Sequence, residues 1–155
     1  MPVVKKNHDA ILVLYNIRSR FNVGAMFRTA DAAGVTKLFL GGITPRPPHH
    51  KIAKVALGAE KYLPWEHHAQ TVRLIKRLKN DGYTIVALEQ SRKSVQYNTC
   101  RVRAPFALVV GNEVKGLPSK ILSLADRVVE IPMRGQKESL NVAVATGIVL
   151  FQLIR

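Results

Sequence analysis

Residues Phe106 to Pro118 read F-A-L-V-V-G-N-E-V-K-G-L-P. Five apolar residues run without a break into a glycine. A short unbroken apolar run bounded by turn residues fits a strand covered on both faces, as in a parallel sheet. Gly111 and Gly116 bracket Asn112 and Glu113, so the strand leads into a tight turn where backbone can approach a ligand closely. Taken alone, Glu113 is more often a surface or capping carboxylate than a catalytic one.

Outward from this stretch the chain alternates. Strands are expected at 10–15 (A-I-L-V-L-Y), 37–40 (K-L-F-L), 84–88 and 127–131. Helices are expected at 23–33, at 51–58, at 71–80 and at 140–154. Val23, Met26, Phe27, Ala30 and Ala33 fall on one helical face, with Asn22 as N-cap and Gly34 as the terminating glycine. Val72, Ile75 and Leu78 point the next long helix inward, and Gly82 ends it. The last helix is apolar on most faces, with Ser139 as its N-cap. Strand–helix alternation of this kind predicts an α/β fold: a mostly parallel sheet with helices on both faces.

The chain has 155 residues, enough for one domain that buries its own core without disulfide or metal. Its one cysteine, Cys100, excludes an internal disulfide and the paired-cysteine zinc patterns, and favours a reducing, cytoplasmic setting. No apolar run is long enough for a membrane span. The 24 basic residues outnumber the 10 acidic ones, for a net charge of +14. That field attracts polyanions, nucleic acid first. Aromatic residues are only 6% of the chain, so stacking platforms are few; Phe21, Tyr62 and Trp65 are the candidates.

Three loops follow strand ends, around 16–24, 111–116 and 132–139, where open α/β sheets bind ligands. None carries a dinucleotide fingerprint or a Walker sequence. The first segment, N-I-R-S-R-F-N-V-G-A-M-F-R-T-A-D (16–31), puts Arg18 and Arg20 just before a helix N-terminus, a natural phosphate site. Arg28 lies among apolar residues and needs a partner or a pocket; Asp31, three residues on, is the plain structural choice. The third segment, V-V-E-I-P-M-R-G-Q-K-E-S-L-N-V-A-V-A-T-G (128–147), places Asn141 in an apolar helix, where an amide seeks a partner.

Each segment alone is weak. In this order and spacing, N-V-G-A-M-F-R-T-A-D, V-V-G-N-E-V-K-G-L and I-P-M-R-G-Q-K-E-S-L-N-V-A-V-A resemble the three motifs of the SpoU/TrmH branch of the SPOUT RNA methyltransferases. The resemblance runs from about Ile11 to Leu153 with no departure in the motifs. It implies a C-terminal deep trefoil knot (the α/β-knot), a homodimer, and S-adenosylmethionine as cofactor. It implies cofactor contacts at Leu88, Glu89, Gly111, Asn112, Gly116, Ile131, Met133 and Leu140. It implies a catalytic set of Arg28, Asn22, Glu113, Ser139 and Asn141, with Glu113 available to an arginine of a partner subunit. The implied reaction methylates a ribose 2′-hydroxyl of tRNA or rRNA, tRNA being the first choice. A guanidinium is effectively always protonated, so Arg28 is expected to position phosphate and 2′-oxygen rather than act as base.

Arg18, Arg20, His49 and His50 are the expected RNA contacts. His49 and His50, with His67 and His68, lack helical ligand spacing and an evident third ligand, so no metal site is expected. The exposed face of 71–80, with Arg73, Lys76, Arg77 and Lys79, is a solvated face that also suits RNA. The chain reads as a single catalytic domain over 1–155 without an RNA-binding extension. Two other readings stay open: an RNA-binding module of this fold without catalysis, and a cofactor-dependent enzyme acting on protein or small molecules.

Overall fold

The computed structural model describes residues 9–154. Residues 1–8 and Arg155, part of the expected 1–155 domain, lie outside the described residues. Seven strands form one sheet: β1 (Ala10–Tyr15), β2 (Lys37–Gly41), β3 (Trp65–His68), β4 (Thr84–Leu88), β5 (Val95–Gln96), β6 (Phe106–Val110) and β7 (Arg127–Glu130). Their spatial order is β3-β2-β1-β6-β4-β7-β5, and every neighbouring pair is parallel. The apolar run of residues 106–110 is therefore the central strand β6, buried at all five positions.

Helices cover both faces, as the alternation predicts. On one side α1 (Arg20–Ala33), α2 (His50–Ala56), α3 (Ala59–Tyr62) and α6 (Val142–Leu153) pack over Leu12, Leu14, Leu108 and Val110. On the other, α4 (Thr71–Asn80) and α5 (Ser119–Leu122) pack over Ile11, Val13, Ala107 and Val109. Alternate residues of each central strand feed opposite cores, because side chains on a strand alternate with period two. Both faces being apolar explains why these strands lack the polar alternation of a half-exposed sheet.

Several boundaries differ from expectation. Helix α1 begins at Arg20, with Ser19 as its N-cap: the Ser19 hydroxyl accepts a hydrogen bond from the Asn22 N–H. Asn22 is thus inside the first turn, and Arg20 is the first helical residue rather than part of the preceding loop. Helix α6 begins at Val142 with Asn141, not Ser139, as N-cap; the Asn141 side-chain oxygen Oδ1 accepts from the N–H groups of Ala143 and Val144 at 2.8 and 3.2 Å. Capping residues are interchangeable to a local reading, and tertiary contacts choose among them. The buried face of α4 is Thr71, Leu74, Ile75 and Leu78, while Val72 is only partly covered. Strands β3 and β5 and helices α3 and α5 were not expected. β3 reads W-E-H-H, and β5 is two exposed residues; both are edge strands without an apolar signature.

Gly24 sets how closely α1 and α2 approach. A Cβ there would lie 2.6 Å from the Ile52 carbonyl oxygen and 3.0 Å from the Val55 Cβ. Alanine gains about 1 kcal/mol in helix propensity over glycine. Overpacking against a backbone carbonyl costs about 1–3 kcal/mol, and backbone cannot move aside as a flexible side chain can. We expect Gly24→Ala to lower the thermal midpoint despite its better propensity, by roughly 2–4 °C per kcal/mol lost. A raised midpoint would show that the two helices separate freely.

Candidate active site

The chain leaves β1 for α1 on one face of the sheet and leaves neighbouring β6 for α5 on the other. Adjacent strands whose connections diverge in this way open a crevice at their carboxyl ends. The 16–19 segment and the 111–116 loop meet there. The Asn112 side-chain amide donates to the Asn16 carbonyl at 2.7 Å, and its own oxygen accepts from the N–H groups of Val114 and Lys115, each at 2.9 Å.

Glu113 completes the junction. Its carboxylate accepts from the Arg18 N–H at 3.0 Å and the Ser19 N–H at 3.0 Å, and from the Asn22 side-chain amide at 3.2 Å. Asn22 in turn accepts from the Asn141 amide at 3.1 Å. The donor directions are fixed: the Asn141 oxygen is taken by two helical N–H groups, so its nitrogen faces Asn22, and the Asn22 nitrogen is left for the carboxylate. A chain Asn141–Asn22–Glu113 thus ties the starts of α6 and α1 to the loop after β6. Burial works to raise the Glu113 carboxyl, but the donors on Arg18, Ser19 and Asn22 outweigh it and hold the group below its ordinary 4.5.

Beside this junction lies a cleft of about 330 Å³. All eight residues expected to contact the cofactor line it: Leu88, Glu89, Gly111, Asn112, Gly116, Ile131, Met133 and Leu140. Glu113 and Ser139 also face it. The loops after β4, β6 and β7, distant in sequence, therefore converge on one space. Glu89 has a structural task there, since its carboxylate accepts from the Leu117 N–H at 2.7 Å and from the Gln90 N–H at 3.1 Å. Gly116 has φ +66°, and a Cβ on it would collide with that Glu89 carboxylate. A Cβ on Gly111 would lie 2.6 Å from the Gly116 carbonyl carbon, so the turn closes only with glycine at both positions.

Four of the chain's ten acidic residues, Glu89, Glu113, Glu130 and Glu138, line this one cleft. In a chain of net charge +14 this is a local inversion, suited to a ligand that carries positive charge. Glu130 and Glu138 were missed as site residues, as was Gln90, whose amide donates to the Glu138 carbonyl at 2.8 Å and closes one side. No sequence signal marks them beyond their place next to strand ends.

The other expected site residues lie elsewhere. Arg28 does not line the cleft; it is exposed on α1, seven residues and so two turns beyond exposed Phe21 on the same face. The expected ion pair with Asp31 is absent among the described residues. Arg28 stands outward from the core, where a guanidinium needs no partner. Arg18 and Arg20 are exposed beside the Glu113 junction. His49 caps α2 through its Nδ1, which accepts from the Lys51 N–H at 3.1 Å, and stacks on His50 at 4.6 Å between ring centroids. His67 and His68 lie on β3, and no group of three or more metal-ligating side chains forms among the described residues.

The Glu113 geometry has a consequence for stability. A glutamine at this position presents an NH₂ group to backbone N–H donors, and we expect Glu113→Gln to cost about 1 kcal/mol. The wild-type contribution should be fully present above pH 4.5 and should disappear as pH falls through the lower folded value. Urea midpoints measured from neutral pH downward should therefore converge for the two proteins in acid. A constant gap would place the stabilisation elsewhere.

Residues 9–151 match the profile of the SpoU rRNA methylase family. The chain is 36% identical over 152 residues to a tRNA (guanosine(18)-2′-O)-methyltransferase of Aquifex aeolicus, covering 97% of this chain and 71% of that one. It superposes on the AdoMet-bound rRNA methyltransferase of Sinorhizobium meliloti with a TM-score of 0.86 at 34% identity, over 93% of this chain but 55% of that chain. A second solved structure, on the 2-OH methylation of C/U34 on tRNA, matches with a TM-score of 0.83 at 28% identity, over 94% of both chains. By sequence motif, sheet topology and profile match alike, this chain belongs to the SpoU rRNA methylase family.

Proposed function

We propose that this protein is an S-adenosylmethionine-dependent methyltransferase that modifies a ribose 2′-hydroxyl of RNA. The observation that carries the reading is the convergence of three strand-end loops on one acid-lined cleft in an otherwise strongly basic chain. Support comes from relatives named as tRNA and 23S rRNA guanosine 2′-O-methyltransferases.

The residues present fit the cofactor. Ile131, Met133 and Leu140 offer an apolar wall for a flat purine, the loops around Gly111 and Gly116 offer backbone groups for its edge, and the four carboxylates suit a cationic centre. S-adenosylmethionine, when bound, supplies the methyl group. The chain's own residues supply position and polarity. Glu113 and Asn22 hold Arg18 and the start of α1 beside the cleft, and Arg18 and Arg20 offer charge to phosphate there. Ser139 lies on the cleft wall, where its hydroxyl can accept or donate to the ribose. Asn141 keeps Asn22 in place, so its role is positioning. We assign Arg28 to phosphate and 2′-oxygen alignment, the planar fork being what that task requires.

We infer that the working unit is a homodimer. Val144, Ile148 and Phe151 form an exposed apolar stripe on α6 at spacings of four and three, 52%, 37% and 54% exposed. Phe21 and Leu140 add to the uncovered apolar surface, and α1, with Arg28, packs directly on α6. A second copy seated on this face covers the stripe and brings each Arg28 to the interface. The C-terminal trefoil knot belongs to the same proposal: β6 and β7 insert between strands already formed by earlier segments, the arrangement such a path requires. We place the protein in the cytoplasm, where buried Cys100 stays reduced.

The deciding experiment incubates the protein with methyl-labelled S-adenosylmethionine and total RNA from cells lacking the gene, then maps the label. Label at one 2′-O-methyl nucleotide is expected. Arg28→Lys should lower turnover about 100-fold with little change in thermal midpoint, since Arg28 is exposed. Near-normal turnover would end the case for a two-pronged contact. Label absent from every RNA, with cofactor still bound, would favour a non-catalytic RNA-binding module.

The dimer has its own test. Phe151→Glu should convert a wild-type dimer into a monomer by light scattering at equal concentration. An unchanged mass would put the interface elsewhere.

A further inference from the structure

The walls of the cleft are held unequally. The loop after β6 is fixed from several sides: the Asn112 oxygen takes the N–H groups of Val114 and Lys115, and the Gly116 N–H donates to the Asn112 carbonyl at 2.9 Å. The Leu117 N–H donates to Glu89 at 2.7 Å, and Glu113 anchors the loop to Arg18 and Ser19. The chain leaving β4 is fixed too, since the Glu89 N–H donates to the Val129 carbonyl at 3.0 Å.

The third wall is the segment between β7 and α6, which brings Met133, Glu138, Ser139 and Leu140 to the cleft. No helix or strand forms in it, and residues 134–140 are exposed. Its ends are fixed, by the pairing of β7 at one and by the Asn141 cap of α6 at the other. Between them, among the described residues, a single hydrogen bond ties 132–140 to the rest of the chain: the Gln90 side-chain amide donates to the Glu138 carbonyl at 2.8 Å. The ion pairs among the described residues include neither Arg134, Lys137 nor Glu138. A segment with exposed backbone and few bonds opens at low free-energy cost, and lids over ligand sites are drawn from such segments.

Gln90 is placed to hold such a segment reversibly. Its own N–H donates to one Glu89 oxygen at 3.1 Å while the other Glu89 oxygen takes the Leu117 N–H, so the residue is anchored on the fixed walls. Its side chain is exposed, as is Glu138. Breaking their bond therefore hands both groups to water and leaves no buried polar atom unsatisfied. The bond also aims the segment. It grips Glu138 by its backbone, and Glu138 and Ser139 are the residues that line the cleft there.

We propose that 132–140 is a strap over the cleft and that Gln90 is its latch: the strap swings out to admit S-adenosylmethionine, and the Gln90–Glu138 bond holds it closed on the bound cofactor. The inference rests on the cofactor reading above and adds a positioning residue to it. Gln90 acts through the Glu138 carbonyl and sets how long the cofactor stays.

Gln90→Met keeps the length of the side chain and removes the donor. Association and release of labelled S-adenosylmethionine are measured on the intact wild-type and variant proteins. Release should be about fivefold faster in the variant, the worth of one hydrogen bond, with association no slower and the thermal midpoint of the cofactor-free protein unchanged. Equal release rates overturn the latch and leave the cofactor reading standing. Faster release with a matching fall in thermal midpoint makes the bond an ordinary fold contact and also overturns it. A wild-type protein that binds no S-adenosylmethionine overturns the cofactor reading and the latch together. Should Gln90→Met fail to fold, amide hydrogen exchange of the wild-type protein decides. Gly135, Gln136 and Lys137 do not line the cleft, yet closure of the strap should slow their exchange when S-adenosylmethionine is added. Exchange there that is indifferent to bound cofactor overturns the proposal.

Discussion

The rest of the site depends on one carboxylate meeting two backbone N–H groups. Glu113 sits at the end of β6, and the donors of Arg18 and Ser19 come from the segment between β1 and α1, more than ninety residues earlier. Those N–H groups precede a helix start and have no partner of their own, so an acceptor there both satisfies them and complements the positive end of α1. Asn22 and Asn141 extend the contact to α6. Three elements that never touch in sequence are thus referenced to a single point, and the cleft walls inherit their spacing from it.

Charge is arranged against the grain of the chain. A net +14 attracts polyanions over the whole surface, yet the cleft gathers four carboxylates. Each is engaged or held locally: Glu89 by the Leu117 N–H, Glu113 by Arg18 and Ser19, Glu130 by the Ser94 hydroxyl at 2.7 Å, and Glu138 through its carbonyl and Gln90. A basic exterior attracts polyanions towards the molecule while the acidic lining disfavours phosphate in the cleft and favours a cation there.

Parallel pairing explains how this arrangement is held rigidly. Every strand junction is parallel, so all seven carboxyl ends lie on one side, and the loops carrying the site share that side. The central strands are buried on both faces, which leaves little freedom to shift register without exposing a core residue. Glycine tightens the layers above them: α1 approaches α2 closely at Gly24, and the β6 turn closes on itself at Gly111 and Gly116.

What the sequence determined by itself was whatever is encoded within a few residues. Unbroken apolar runs set β1, β4 and β6; period 3.6 set the buried face of α1; Gly34 set its end in the left-handed conformation. The second and third motifs, contiguous strings, carried most of the cleft residues, while Leu88 and Glu89 came from the end of β4 outside any motif. Tertiary structure decided what depends on distant partners. Ser19 rather than Asn22, and Asn141 rather than Ser139, became the caps, since Asn22 is drawn to Glu113 and Asn141 to Asn22. The polar edge strands β3 and β5 exist only because β2 and β7 offer them a ladder. The position of Arg28 on an outer face, and the unpartnered oxygen of Glu60, follow from packing that no local pattern records. Short-range hydrogen bonds and side-chain periodicity are written along the chain, whereas the pairing of groups ninety residues apart is settled only when the sheet brings them together.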